Sequence, residues 1–273
     1  MVAADISEFE TLKDVVAAGR ARDGTVLDVV GRPAPYSYHD FCTSIWKAGN
    51  LLGHYGVHAV GELAVAVGPK TEPEAEQDGE GMLDAAEPLL ALFGGAIIGG
   101  VVDVTPAEPV DAPALVAPAY RSLDVSPSCS RLAYGGPPSD PAISHFEREV
   151  WSENPIEPPE SVGPEDDALR FGGVTWTHGE LLSFAEEVVE DEGIDSETHV
   201  VLRVGITEPG GFVAGVLAPL AAGGTIVVPD DPAEGDSLDS PDGKTVVVSD
   251  EEQGGDGLDS DRLTRSMLDT RRA

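Results

Sequence analysis

The residues best placed to do chemistry lie in "ALRFGGVTWTHGELLSF", residues 168–184. A buried strand enters, a helix starts at Thr177, and Gly172–Gly173 joins the two. Glycines ahead of a helix let backbone N–H groups approach a phosphate, and a nearby lysine normally shares the charge. Here the only cation close in sequence is Arg170, and no Lys stands nearby. Gly172, Gly173 and Thr177 are therefore the weak remnant of an anion site, and an ordinary tight turn is the simpler expectation. Other groups carry less. His54 and His58 stand four apart, but Gly56 between them should end the helix, and no Cys or acid completes a ligand set at metal-binding spacing. His178 should sit exposed at a helix start. Ser128, Cys129 and Ser130 have no surrounding nucleophile elbow. Lys244 in "DSPDGKT" lacks the glycine of a Walker loop, since position 238 is Leu. No catalytic residue and no metal ligand is assigned.

The elements around these residues repeat. Ser37 with Asp40 is a capping-box pattern, followed by Phe41, Ile45, Ala48, Leu51 and Leu52 at helical spacing and by Gly56 as a stop. The strand "LAVAV" (63–67), the apolar helix in "PLLALFGGAIIGG" and the strand "VVDV" come next. Thr177 with Glu180 opens the same series again. Leu181, Leu182, Phe184, Ala185 and Val188 form its stripe, Gly193 its stop, and "HVVLRVG", "GFVAGVLAPLAAGG" and "TIVV" the rest. Gly223–Gly224 answers Gly99–Gly100.

This predicts an α/β fold: two related helix-strand-helix-strand units forming mostly parallel sheets covered by helices. The expected division is 1–150 for the first unit, with an acidic, solvated insertion near 69–88, then 151–250 for the second, and an acidic-to-basic tail over 251–273. Within 106–165, "SRLAYGG" reads as a strand and "PAISHFEREVWSE" as a short helix. "TVVVS" reads as a strand between flexible acidic segments. A last helix carries Arg262, Arg265, Arg271 and Arg272, which should complement the helix dipole or the acidic body.

Composition narrows the setting. The 273 residues carry 50 acids against 16 bases, a net charge of −34. Such a surface repels itself in dilute buffer, and molar salt shrinks the screening length to roughly 3 Å. The expected home is the high-salt cytoplasm of a halophilic, archaeal host. The same charge argues against nucleic acid as a partner. No apolar run reaches membrane-spanning length. Cys42 and Cys129 form no CxxC pair, and Cys42 should be a small buried apolar group.

In order along residues 25–231, "YSYHDFCTSIWKAGNLLGHYGV", "LLALFGGAIIGGVVDVTP", "VTWTHGELLSFA" and "GVLAPLAAGGTIVVPDD" resemble the N-terminal part of AMP-forming acyl-CoA synthetases. This adenylate-forming (AMP-binding) family also includes luciferase and the adenylation domains of peptide synthetases. The resemblance implies the fold of their N-terminal subdomains. It also implies a Ser/Thr/Gly-rich phosphate loop ending in Pro-Lys-Gly just before "VTWTHGELL". Here "DDALRF" matches the strand entering that loop and "GGVTWTH" the segment leaving it, with the loop missing between them. "GITEPGGF" keeps Phe212 but lacks the family's His near the acyl pocket. The adenine, ribose and hinge motifs and the C-terminal catalytic lysine would lie beyond Ala273, so the implied protein is a truncated relative.

The expected function is accordingly a non-catalytic binding or regulatory relative that has lost acyl-adenylate formation. One alternative is an active or split acid-thiol ligase component, with ATP/AMP, Mg and CoA as cofactors and a separate complementary chain as partner. Another is a structural subunit of a full-length acyl-CoA synthetase.

Overall fold

The computed structural model describes residues 6–73, 81–229, 244–250 and 257–272. The first helix, α1 (Leu12–Arg20), is held at its start by a reciprocal cap between Thr11 and Asp14. A short strand pair follows, β1 (Thr25–Val29) antiparallel to β2 (Tyr36–Ser37). Ser37 ends β2 and also caps α2 (Tyr38–His54) by accepting the Asp40 N–H. β3 (Glu62–Val65), α3 (Glu87–Ile97), the Gly99–Gly100 turn and β4 (Val101–Asp103) complete the first unit.

The connecting region contributes β5 (Ala114–Pro118), β6 (Ser130–Tyr134), β7 (Ser144–His145) and α4 (Phe146–Ser152). The second unit repeats the first: β8 (Asp167–Phe171), β9 (Val174–Thr177), α5 (His178–Glu192) and β10 (His199–Leu202). Then come α6 (Pro209–Phe212), a π-helical turn (Val213–Leu217), α7 (Ala218–Ala222) and β11 (Thr225–Val228). β12 (Thr245–Ser249), β13 (Leu258–Asp259) and α8 (Ser260–Arg272) finish the described chain.

These strands form two sheets. One runs β13-β12-β10-β11-β1-β2, the other β7-β6-β5-β3-β4-β8-β9. Every pairing is parallel except β1–β2 and β8–β9. The predicted α/β class and the predicted repeat are both present.

The two units are interlocked. β1 of the first unit pairs with β11 of the second, setting Leu27 beside Ile226. β8 of the second pairs with β4 of the first, setting Leu169 beside Val102. Each unit has thus lent its hairpin to the other unit's sheet. The hairpins match in detail, with a register shift between Thr25 and Leu27 in one and between Asp167 and Leu169 in the other.

Several expectations change. Each sheet draws strands from both sides of residue 150, so the sheets do not divide there. Gly172–Gly173 joins two strands, not a strand to a helix, because β9 intervenes. β5 is an addition to the expected strands. Parts of the 69–88 insertion are packed rather than solvated: Leu83, Ala85 and Ala86 are buried, and the Gly81 N–H donates to the Val67 carbonyl. Residues 74–80, 230–243 and 251–256 of the expected acidic segments lie outside the described residues.

Apolar burial ties the units together. Phe212 of α6 lies 5.8 Å, centroid to centroid, from Phe93 of α3 and 5.8 Å from Phe171 of β8. Burying one such ring stabilises by about 1.5–3 kcal/mol. Tyr38, at the start of α2, donates its hydroxyl hydrogen to the Gly224 carbonyl of the other unit at 2.7 Å. Cys42 is buried as expected, and burial pushes its thiol to about 12. The final helix docks rather than trailing. Met267 is fully buried, the Thr264 hydroxyl accepts the Gly210 N–H at 2.9 Å, and Arg271 donates to the Thr175 carbonyl.

Candidate functional site

The hairpin β8–β9 is where the sequence places its anion-site remnant. Gly172 and Gly173 have φ of +53° and +81°, so both central turn residues are left-handed. This is the primed turn that joins twisted antiparallel strands with two residues. A Cβ added to either glycine would meet nothing within 4 Å. Backbone conformation, not crowding, is what asks for glycine here.

Two of the groups that would grip an anion, the Gly172 N–H and Arg170, are already engaged. The Gly172 N–H donates to the Thr105 hydroxyl at 2.9 Å, and the Thr105 N–H donates to Asp103 Oδ1 at 2.9 Å. Parallel register puts Asp103 of β4 beside Arg170 of β8, and Ala64, two residues after Glu62 in β3, beside Asp103. The alternation of strands turns all three charged side chains to one face. The Arg170 guanidinium lies 2.8 Å from Glu62 Oε1 and 3.8 Å from Asp103 Oδ2, and its Nε donates to the Thr175 hydroxyl at 3.1 Å. The cation nearest in sequence is therefore neutralised by two carboxylates.

Thr177 does not join the turn. It stands opposite Asp167 at the far end of the hairpin, roughly 13 Å from Gly173 at about 3.4 Å per strand residue. Its hydroxyl accepts the Glu180 N–H at 3.2 Å, and its own N–H donates to Glu180 Oε2 at 2.9 Å. Both polar groups serve the helix cap.

His178 is the clearest departure. Expected at the surface, it is 0% exposed. It occupies the first position of α5, as Tyr38 does in α2, and both point into the core. Its Nδ1 accepts the Leu12 N–H at 3.2 Å, while Nε2 is buried without a partner among the described residues. Burial lowers its pKa to about 4 against the opposing pull of Asp166 and Asp14, so it is neutral at pH 7.

The remaining candidates stay apart. His54 lies 3.5 Å from Glu153 on the surface. Among the described residues no three His, Cys, Asp or Glu side chains gather as they would around a metal ion. The Ser128 hydroxyl pairs with that of Ser126 at 2.9 Å, and Cys129 is half-buried with its thiol pushed up by burial. Lys244 donates to the Glu192 carbonyl at the end of α5. Beside Thr105 is a cavity of about 130 Å³, bordered by Val104, Arg121 and Thr207. That is well below the roughly 300–1,000 Å³ of small-molecule sites. No helix among the described residues is long and apolar enough to cross a membrane.

Two sheets with this strand order, helices over them and an antiparallel hairpin before the second unit's capped helix make the fold that of the N-terminal part of adenylate-forming enzymes. Solved structures of that class superpose on the chain. An anthranilate CoA ligase, AuaEII, in complex with anthranoyl-AMP matches with a TM-score of 0.68 at 15% identity over 90% of this chain and 51% of its own. The Klebsiella oxytoca NpsA N-terminal subdomain in complex with anthranilyl-AMSN gives 0.65 at 11% identity, covering 90% and 60%. A benzoate CoA ligase from Burkholderia xenovorans gives 0.63 at 17% identity, covering 88% and 50%. The chain spans between 23% and 64% of the length of such structures. No family model matches the sequence, and no curated protein sequence does.

Proposed function

We propose that this chain is a non-catalytic relative of the AMP-forming acyl-CoA synthetases, a binding or regulatory protein that keeps their scaffold and not their adenylate chemistry. The observation that carries the reading is the closed hairpin. The Gly172 N–H is given to Thr105, and Arg170 is given to Glu62 and Asp103. A polyphosphate arriving there would have to displace three carboxylate or hydroxyl partners inside a strongly acidic surface, with no lysine to offset the charge.

Pyrophosphate exchange in molar KCl tests the proposal, over short, long, aryl and amino acids, with and without lysate of the host. Silence throughout is expected, and exchange dependent on the protein contradicts it. A second reading starts from the scaffold shared with solved ligases. In it the chain is a subunit paired with a full-length synthetase, or one half of a split ligase that draws ATP, Mg and CoA into a joint site. Exchange that appears only with lysate would select the split ligase. Recovery of a synthetase with the tagged protein at molar salt, without exchange, would select the subunit.

A further inference from the structure

Segments following the carboxyl ends of strands in both sheets line a cavity of about 550 Å³. Val29 to Arg32 come at the end of β1, Pro69 to Thr71 after β3, and Pro229 after β11. Ligands of open α/β sheets bind outside the carboxyl ends of strands, and this volume lies within the roughly 300–1,000 Å³ usual for them. Val29, Met82 and Leu83 supply apolar wall, and Arg32, Lys70 and Asp84 supply charge.

The charges are not equally free. The Lys70 ammonium lies 2.9 Å from Glu87 Oε1, and the Lys70 N–H donates to both oxygens of Asp84 at 2.9 Å. The ammonium is thus committed to Glu87, while Asp84 is held by a backbone N–H and keeps its charge. Arg32 differs. Its guanidinium carbon sits 3.4 Å from the centre of the Tyr36 ring, and it makes no ion pair among the described residues. By contrast Arg131, Arg170 and Arg271 each face a carboxylate. Stacking occupies one face of the guanidinium and fixes its plane, while the in-plane N–H groups stay available to a planar, two-oxygen partner.

The position has a counterpart. Arg32 lies on the turn of the β1–β2 hairpin, which corresponds in the repeat to the Gly172–Gly173 turn of β8–β9. Residues 28–35 separate the paired Leu27 and Tyr36, whereas only 170–175 separate Leu169 and Trp176. The second hairpin has closed around its own arginine, and the first, longer one leaves its arginine beside a cavity.

We infer that this cavity binds a small organic oxyanion, a carboxylate or phosphate monoester with a compact apolar body, held at its charged end by Arg32. The site is separate from the β8–β9 hairpin and stands whether or not that hairpin binds nucleotide. The test is calorimetric titration of the full chain in molar KCl with cyclohexanecarboxylate, cyclohexyl phosphate and the neutral cyclohexanol. At least one anion should bind at one per chain, with cyclohexanol about tenfold weaker or worse. Arg32→Met should weaken the anion by about tenfold and leave cyclohexanol unchanged, with thermal unfolding as for the parent protein. The stronger of the two anions identifies the head group. Equal binding of anion by parent and variant, equal binding of cyclohexanol and anion, or no heat from either anion at tens of millimolar would overturn the inference. A variant that unfolds is replaced by Arg32→Lys, which keeps the charge and loses the fork, and should bind more weakly than the parent.

Discussion

Replacing Gly172 with Ala should destabilise the protein, although it removes no contact. At φ +53° an L-residue pays about 1–2 kcal/mol for the left-handed conformation. Alanine also restricts the unfolded chain, which offsets about 0.4–1 kcal/mol of that cost. No clash adds to the sum, because a Cβ there meets nothing within 4 Å. The expected net loss is about 1 kcal/mol, or roughly 2–4 °C in melting temperature for a chain of this size. Gly172→Asn should lose less, since asparagine tolerates this conformation and Asn-Gly favours this turn. Urea unfolding in molar KCl, with a common slope for all variants, is the assay. An alanine variant as stable as the parent, or more so, would refute the left-handed turn and with it the closed hairpin.

Packing and burial give two further outcomes. A Cβ on Gly210 would lie 2.2 Å from the Ser260 carbonyl oxygen and 2.8 Å from the Thr264 nitrogen, so Gly210→Ala should unseat α8 at a cost of about 1–3 kcal/mol. Amide exchange should then quicken in α8 and not in α5, and unchanged exchange in α8 would contradict its docking. His178 should make stability fall on acidification. Its folded pKa of about 4 lies below the ordinary 6.5, so the unfolded chain binds the proton first as pH falls through that window, and stability is lost until about pH 4. The loss is bounded at about 3 kcal/mol. His178→Asn keeps an acceptor for the Leu12 N–H and should flatten the decline relative to the parent; parallel declines would remove His178 as the cause.

Much of this architecture is legible in the sequence. The cap at Thr177 and Glu180, the stripe from Leu181 to Val188 and the stop at Gly193 stand where the residue pattern puts them, because local hydrogen bonds and helical period decide them. The exchange of hairpins is not legible. The apolar run in "DALRF" reads as a strand, but nothing in it says that β8 lies beside β4, and nothing in the sequence sets β1 beside β11. β9 is hidden because its four residues end on the cap residue and merge with the helix signal. His178 misleads for a related reason. A first-turn histidine is usually solvated, and only the arrival of α1, with the Leu12 N–H aimed at Nδ1, encloses it. At the candidate site, the missing lysine and hydroxyl residues are visible as an absence. The partners that close the turn, Thr105, Asp103 and Glu62, come from segments far away in sequence, and nothing local marks them.

The central claim is that the β8–β9 hairpin has no purchase for a polyphosphate. Equilibrium dialysis of the full chain against ATP with Mg²⁺ in molar KCl tests it most directly. The structure predicts no binding tighter than millimolar. Micromolar binding that survives Arg32→Met and disappears in an Arg170→Met variant would place the nucleotide at the hairpin and contradict the account.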